Sequence, residues 1–278
     1  MAKVLFDMVG DEVGTMPSSL LLEISAQTLS FVAINSEGRI QKLAIYQLES
    51  ANPNRFAEEL DNLFADNGNI FQAAVPIRII YSFAESTLVP EKYFQEEKGS
   101  DIAKLIHGDL SEWMVIREQV TDSAQYNIYS VPPSLHQYIK SRFDETSWIH
   151  CYSTWPVMGG QRLTNQESFV SAVFYPNGFR VMAFKNGMLQ LTQQFPYEAA
   201  EDVSYHLLNI FERLKLDPAE SVLLLSGMLD ISSALFTEIQ KYFAKVELET
   251  CEEYADLSAL GTHPPHFFTH LLKLICVS

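Results

Sequence analysis

Residues 169–195 read FVSAVFYPNGFRVMAFKNGMLQLTQQF, and this stretch decides the fold class. Its first two runs are apolar, and the runs contain many of the β-branched and aromatic residues that favour strands. The dipeptide Asn186-Gly187 before the third run is a strong short-range signal for a tight hairpin. The stretch therefore predicts a meander of three antiparallel strands.

Helices and strands alternate after this meander. Residues 198–214 place Val203, Leu207 and Phe211 on one face, which is typical of an amphipathic helix. The next predicted elements are a strand over 221–226, a helix over 230–243, a short strand over 245–248 and a closing helix over 264–275. The second half of the chain is thus predicted to follow the plan βββαβα, with the short strand and the closing helix after it.

The same order is present upstream. Three strands are predicted within residues 19–48, then a helix that ends near Asp66 and a strand over 76–83. An offset of 150 positions aligns Leu29 with Phe179. It leaves the hairpin turn of the second half one residue shorter than that of the first half. Identity between the halves is slight, so the repeat is one of architecture. The sequence predicts an α/β protein with two lobes of one plan.

A stretch of about residues 88–120 has no counterpart in the second half and is predicted to be an insertion in the first lobe. The first lobe is then expected to resume with a strand near 126–130, a helix over 134–143 and a strand over 147–152. The predicted domains are 18–163 for the first lobe and 164–278 for the second. Residues 1–17 are expected to form an irregular lead.

The charge balance excludes several classes of function. The formal net charge is −16, and a field of that sign repels nucleic-acid phosphates and anionic membranes. The densest cationic stretch, around Lys140 and Arg142, is interrupted by two acids. No apolar segment is long enough to span a bilayer, and the first residues do not resemble a signal peptide. Three widely spaced cysteines suit a reducing compartment, so a cytoplasmic location is expected.

The order of elements resembles the actin-like ATPase superfamily, which has a ribonuclease-H-like fold, and the insertion is similar in position to that of pilus-assembly and secretion-system members. The chain looks more closely like an uncharacterised bacterial domain-of-unknown-function family assigned to that fold. The segments LVPEKYF at 88–94 and FYPNG at 174–178 carry this resemblance. It covers essentially the whole chain.

The resemblance implies a nucleotide cleft with ATP and Mg²⁺, held by a glycine-containing loop in each lobe and a Gly-Gly turn at adenosine. The corresponding positions here are Glu23, Ser25, Gln27, Asn177, Gly178 and Gly227. Ser25 stands where glycine is expected, and its Cβ would hinder the approach of a phosphate. Tyr175-Pro176 replaces the second glycine, and proline removes an N–H donor. These departures predict no cofactor and no efficient ATPase.

A second candidate lies near the end of the chain. His266 and His270 are one turn apart on the predicted closing helix, a spacing that can bind zinc when a third ligand is supplied. No further metal motif accompanies them, which favours ordinary imidazoles at a helix start. For His150 and Cys151, neighbours in a predicted strand, the side chains should point to opposite faces, which argues against a catalytic dyad.

Two functions of different classes follow as hypotheses. The first is a non-catalytic binding or assembly module that contacts a protein partner, or a second copy, through the inserted segment. The second is a weak ATPase or phosphotransferase in which Glu23 and Ser25 contact metal and phosphate, with Gly227 near the base. No catalytic residue is assigned under the first hypothesis.

Overall fold

The meander predicted at residues 169–195 is present in the structure, a computed structural model that describes residues 2–10, 17–49, 56–71, 75–143, 146–250, 261 and 263–276. The strands are β1 (Lys3–Val9), β2 (Ser19–Ile24), β3 (Thr28–Ile34), β4 (Ile40–Gln47), β5 (Ile77–Tyr81), β6 (Ser86–Pro90), β7 (Met114–Gln119), β8 (Gln125–Val131), β9 (Thr146–His150), β10 (Phe169–Tyr175), β11 (Gly178–Lys185), β12 (Met188–Pro196), β13 (Val222–Gly227) and β14 (Val246–Leu248). The helices are α1 (Phe56–Asp66), α2 (Gly68–Phe71), α3 (Gly99–His107), α4 (Pro133–Arg142), α5 (Trp155–Thr164), α6 (Ala200–Leu214), α7 (Ala234–Gln240) and α8 (Thr269–Cys276).

The chain divides into two compact units. The first contains residues 1–154, 255–261 and 274–278, and the second contains residues 155–254 and 262–273. Helix α5 therefore belongs to the second unit and precedes its meander. Among the described helices, none combines the length and the apolar character that a membrane crossing requires.

The second unit is built on a five-stranded sheet in the order β12-β11-β10-β13-β14. The strands of the meander are antiparallel, whereas β13 runs parallel to β10 and β14 runs parallel to β13. Alternate residues of β10, among them Val170, Ala172 and Phe174, enter one core with α6 residues such as Leu207 and Phe211. This alternation is the period of two expected for a strand whose two faces differ.

The first unit has a six-stranded sheet in the order β1-β4-β3-β2-β5-β9. Strand β1 corrects the expectation of an irregular lead, because residues 3–9 pair antiparallel with β4. Every residue of β3 is buried, as is usual for a central strand. The core on one side of this sheet includes Phe31, Phe56 and Phe64.

The two meanders share their register. Ile24 pairs with Leu29 in the first sheet, and Phe174 pairs with Phe179 in the second, which is the offset of 150 found in the sequence. One strand later, Leu29 pairs with Tyr46 but Phe179 pairs with Phe195, an offset of 149. The turn before the third strand of the second meander is therefore one residue shorter than that of the first, as the sequence predicts.

The insertion forms its own three-stranded sheet in the order β6-β8-β7. Strand β8 is the middle strand of this sheet, so assigning residues 126–130 to the resumed first lobe was wrong. The inserted sheet uses residues from Ser86 to Val131 and is larger than the predicted stretch of about 88–120. Val89, Ala103 and Ile128 form its small core. We call this sheet with α3 the insert.

Candidate functional site

The turn between β2 and β3 is closed by the side chain of Ser25. Its hydroxyl oxygen accepts hydrogen bonds from the backbone N–H groups of Gln27 and Thr28, at 3.1 and 2.9 Å. It also lies 2.8 Å from the Thr28 hydroxyl. Two backbone donors of this turn are thus already engaged by the Ser25 hydroxyl. Compared with a glycine, Ser25 therefore adds a hydrogen-bond acceptor to this turn as well as a Cβ.

The other two predicted residues of this turn lie on either side of Ser25. Glu23 is 3% exposed on β2, between Ser30 of β3 and Ile80 of β5. Gln27 is exposed, and its carbonyl accepts the Leu48 N–H at 2.8 Å. The structure therefore brings the first-lobe positions together in one turn, which is stabilised by its own backbone and side-chain hydrogen bonds.

The turn between β10 and β11 is a two-residue connection. Tyr175 pairs with Gly178, so only Pro176 and Asn177 connect the two strands. Proline has no backbone N–H, which leaves this connection with a single amide donor. Gly178 lies close to β12, because a Cβ added to it would be 2.9 Å from the Phe195 carbonyl oxygen. The absence of a side chain at Gly178 therefore allows β11 to pack closely against β12.

Tyr175 packs against two cationic or titratable side chains of the same unit. The guanidinium of Arg180 lies 5.6 Å from the centre of the Tyr175 ring, within the range of a cation–π interaction. The His270 ring meets the same ring edge-on at 5.6 Å. Arg180 is 1% exposed. An aromatic side chain with two partners thus stands at the position where the family resemblance implies glycine.

Gly227 ends β13 beside this turn. Its φ is +82°, and an added Cβ would lie 2.2 Å from the Phe174 carbonyl oxygen. The following N–H, of Met228, donates to the same oxygen at 2.8 Å. Glycine is required here by the close approach of two strands. This packing accounts for Gly227 without a ligand.

A buried ion pair lies near the same strand end and was not found from the sequence. Lys273 Nζ is 2.6 Å from Glu249 Oε1, and the two side chains are 13% and 6% exposed. Ser226 donates its hydroxyl to the other carboxylate oxygen at 3.3 Å, and Thr269 donates to the Glu249 carbonyl at 2.7 Å. The only sequence signal was Lys273, the one lysine or arginine inside the largely apolar closing helix.

The two candidate zinc ligands do not share a helix. His266 lies in a 3₁₀ turn (Pro265–Phe267), and His270 lies in α8, so the predicted continuous helix over 264–275 is interrupted. His266 Nε2 is 2.8 Å from the Leu229 carbonyl, a geometry in which the imidazole donates. Within the described ranges, no group of three or more His, Cys, Asp or Glu residues could hold a metal ion.

A second buried polar network joins the insert to the edge of the six-stranded sheet. The Glu118 carboxylate accepts the His150 backbone N–H at 3.0 Å and the Tyr129 hydroxyl at 3.2 Å. Burial raises the pKa of the Glu118 carboxyl, while hydrogen bonds from Ser153, His150 and Tyr129 act to lower it. Desolvation is the larger effect, because a carboxylate loses its water shell there.

The imidazole of His150 continues this network. Its Nε2 is 3.0 Å from the Phe83 carbonyl, which can only accept, so Nε2 carries the proton. Nδ1 then accepts the Tyr152 N–H at 3.1 Å. Strand β9 ends at His150 and a 3₁₀ turn begins at Cys151, so the thiol comes within 3.8 Å of Nδ1. The two side chains are not on opposite faces as predicted, and both are 0% exposed.

The insert also carries the most exposed apolar side chain among the described residues, Leu105 at 85%. Tyr93 and Ile106 are 65% and 52% exposed. Leu105 and Ile106 lie on α3, which packs Ala103 into the insert's core. We call Leu105 and Ile106, which are adjacent on α3, the apolar patch. Exposed apolar groups of this kind mark surfaces that bind other molecules.

The fold is that of the actin-like ATPases. A protein of unknown function with this fold from Bacteroides thetaiotaomicron VPI-5482 has a TM-score of 0.72 and 17% identity, covering 91% of this chain and 99% of its own. A PilM–PilN type IV pilus biogenesis complex has a TM-score of 0.58 and 13% identity, covering 95% and 100%. The ethanolamine utilization protein EutJ from Carboxydothermus hydrogenoformans has a TM-score of 0.51 and 8% identity, covering 97% and 93%.

The amino-acid sequence places the chain in a protein family. The family model described as "Protein of unknown function (DUF3822)" matches residues 14–246, and the chain belongs to this family. No curated protein matches the chain. The resemblance to an uncharacterised family with an actin-like fold is therefore confirmed.

Proposed function

We propose that this protein is a non-catalytic binding or assembly module, whose insert docks a protein partner. The observation that carries the proposal is the closed turn at Ser25, whose hydroxyl engages the backbone donors of Gln27 and Thr28. Phosphoryl transfer depends on positioned donors and charge. A turn in which two backbone donors are already engaged is a poor start for such chemistry.

Two features support a protein partner at the insert. The apolar patch exposes two large neighbouring side chains on one small subdomain. One protein of similar fold is present in a PilM–PilN complex, so a fold of this kind is found bound to a second protein. The partner would present apolar side chains to Leu105 and Ile106, because the other exposed residues of α3 are Ser100, Asp101 and Lys104.

The nucleotide part is tested by direct binding. Labelled ATP with Mg²⁺ is titrated into the purified chain, and no saturable binding is expected up to millimolar nucleotide. A saturable fit in the nanomolar-to-micromolar range would contradict the proposal. The alternative enzyme hypothesis is tested by phosphate release, compared between the native chain and Glu23→Ala. Turnover that depends on Glu23 would favour that hypothesis.

The partner part is tested with a pair of matched substitutions. Ile106→Glu changes the apolar patch, and Ile231→Glu makes the same change in the second unit at a nearly equal exposure, 54% against 52%. A partner isolated from the source cells is titrated against the three purified chains. We expect Ile106→Glu to weaken binding by about tenfold or more, as for a desolvated contact residue, and Ile231→Glu to leave it unchanged. Equal binding by all three chains would place the partner elsewhere.

A further inference from the structure

Strand β12 differs from the other sheet edges in the described part of the chain. It is nine residues long and reads MLQLTQQFP, without one charged residue, in a chain of net charge −16. It is bonded on one side by β11, and no described strand pairs with its other side. Exposed edges of this kind are ready templates for another strand.

The remaining edges carry protective features. Strand β1 has Lys3 and Asp7, and β7 has Arg117 and Glu118. The edge strand β14 has three residues, one of them Glu247. The edges β6 and β9 have five residues each, and β6 ends in a proline. Charge, shortness and proline are the usual means of blocking edge pairing. Strand β12 is long and uncharged, and its own proline and bulge lie outside residues 191–195.

The regular part of β12 is bounded on both sides. The pairing with β11 shifts between Leu189 and Leu191, which makes Gln190 a bulge residue, and Pro196 ends the strand. The uninterrupted segment is therefore 191–195, and its central residue is Gln193. A segment paired antiparallel with a copy of itself has its central residue on the two-fold axis, as in other isologous interfaces.

We propose that β12 pairs with β12 of a second copy of this chain and joins two five-stranded sheets into one. In this register Leu191 faces Phe195 of the other copy, Thr192 faces Gln194, and Gln193 faces itself. Leu191 and Phe195 already pack on the core of their own unit and are only partly buried there, so the pairing would cover the rest of each. Cross-strand apolar pairs of this type stabilise sheets.

A second copy suits this edge better than a charged partner does. The segment is self-complementary about Gln193 and brings no charge to the axis. The net charge of −16 on each chain opposes the pairing, because the two chains repel each other at long range. Added salt screens that repulsion. The dimer is therefore expected to become tighter as the ionic strength rises. This inference concerns a different unit from the insert and does not rest on the proposed function.

The test measures the mass of the full chain by sedimentation equilibrium, for the native chain, Gln193→Glu and Gln161→Glu. Gln193→Glu places two like charges opposite each other on the axis, and Gln161→Glu makes the same change at an exposed position of α5. We expect a native dimer, an unchanged dimer for Gln161→Glu, and a dissociation constant raised about fivefold or more for Gln193→Glu. Far-ultraviolet circular dichroism verifies that each variant is folded.

A cross-link provides the second measurement. Gln193→Cys is expected to form a disulfide-linked dimer under mild oxidation, whereas Gln161→Cys and the native chain, with its own three cysteines, are not. Three results would overturn the proposal: a native chain that stays monomeric at its highest soluble concentration, a dimer that Gln193→Glu leaves unchanged, or open-ended aggregates in place of a dimer.

Discussion

The backbone N–H of His150 donates a 3.0 Å hydrogen bond to Glu118 Oε1, and this bond fastens the insert to the last strand of the six-stranded sheet. Glu118 belongs to β7 and His150 to β9, which are in different sheets. The insert that carries the proposed partner surface is therefore held by buried polar contacts, among them those of the Glu118 carboxylate.

Removing that carboxylate should destabilise the protein. Glu118→Ala leaves the His150 N–H and the Tyr129 hydroxyl without their acceptor, and each buried group left unsatisfied costs about 1–3 kcal/mol. Urea unfolding should show a loss of roughly 3 kcal/mol. Glu118→Gln keeps an acceptor for His150 and is the control. An alanine variant as stable as the native chain would contradict the assigned role.

The same position predicts a dependence on pH. Burial raises the pKa of the Glu118 carboxyl above its value of 4.5 in an unfolded chain. The folded state therefore holds the proton more strongly, and the associated stability is present in acid and lost as the pH rises through the raised pKa. Glu118→Gln cannot lose a proton. Its unfolding free energy relative to the native chain should increase from acid to neutral pH, as measured by urea unfolding at several pH values.

Two glycines with similar φ values allow the cost of backbone strain to be distinguished from the cost of a steric clash. Gly227 and Gly38 have φ values of +82° and +77°, but only Gly227 has an atom within 4 Å of an added Cβ, the Phe174 carbonyl oxygen at 2.2 Å. Gly38→Ala should cost about 1 kcal/mol. Gly227→Ala should cost roughly 3 kcal/mol or more, because two strands must separate. Equal losses in thermal unfolding would mean that the close approach is unimportant.

The ion pair of Glu249 and Lys273 should behave as a buried pair. Lys273→Met leaves an unpaired carboxylate and is expected to cost about 3–5 kcal/mol. The double variant Glu249→Gln with Lys273→Met should be less destabilised than the lysine variant, since no charge remains. The control pair is Lys245 and Glu220, at 2.8 Å with side chains 48% and 74% exposed. Lys245→Ala should change unfolding by less than about 1 kcal/mol.

Local patterns predicted the strands well, because turn chemistry and alternation act over a few residues. Asn186-Gly187 marked its hairpin, and both residues have φ values above +50° in the structure. The assignment of β8 failed for the opposite reason. Its sequence shows a strand but cannot show which sheet the strand joins, and that choice depends on pairing with β6 and β7.

The candidate site shows the same division. The sequence identified Ser25 and Pro176 as substitutions in the expected loops, because residue type alone shows a missing glycine. It did not show that the Ser25 hydroxyl accepts two backbone N–H groups. It also missed Glu249 and Lys273, which are 24 positions apart and meet only after folding.

Ser25 has a consequence for regulation. Under the proposed function, a turn held by its own serine does not need ATP to keep its shape. No ATP hydrolysis step would then limit how long a complex with this protein lasts. Assembly on this protein would then follow the abundance of its components, and it would continue when the cell's energy supply falls.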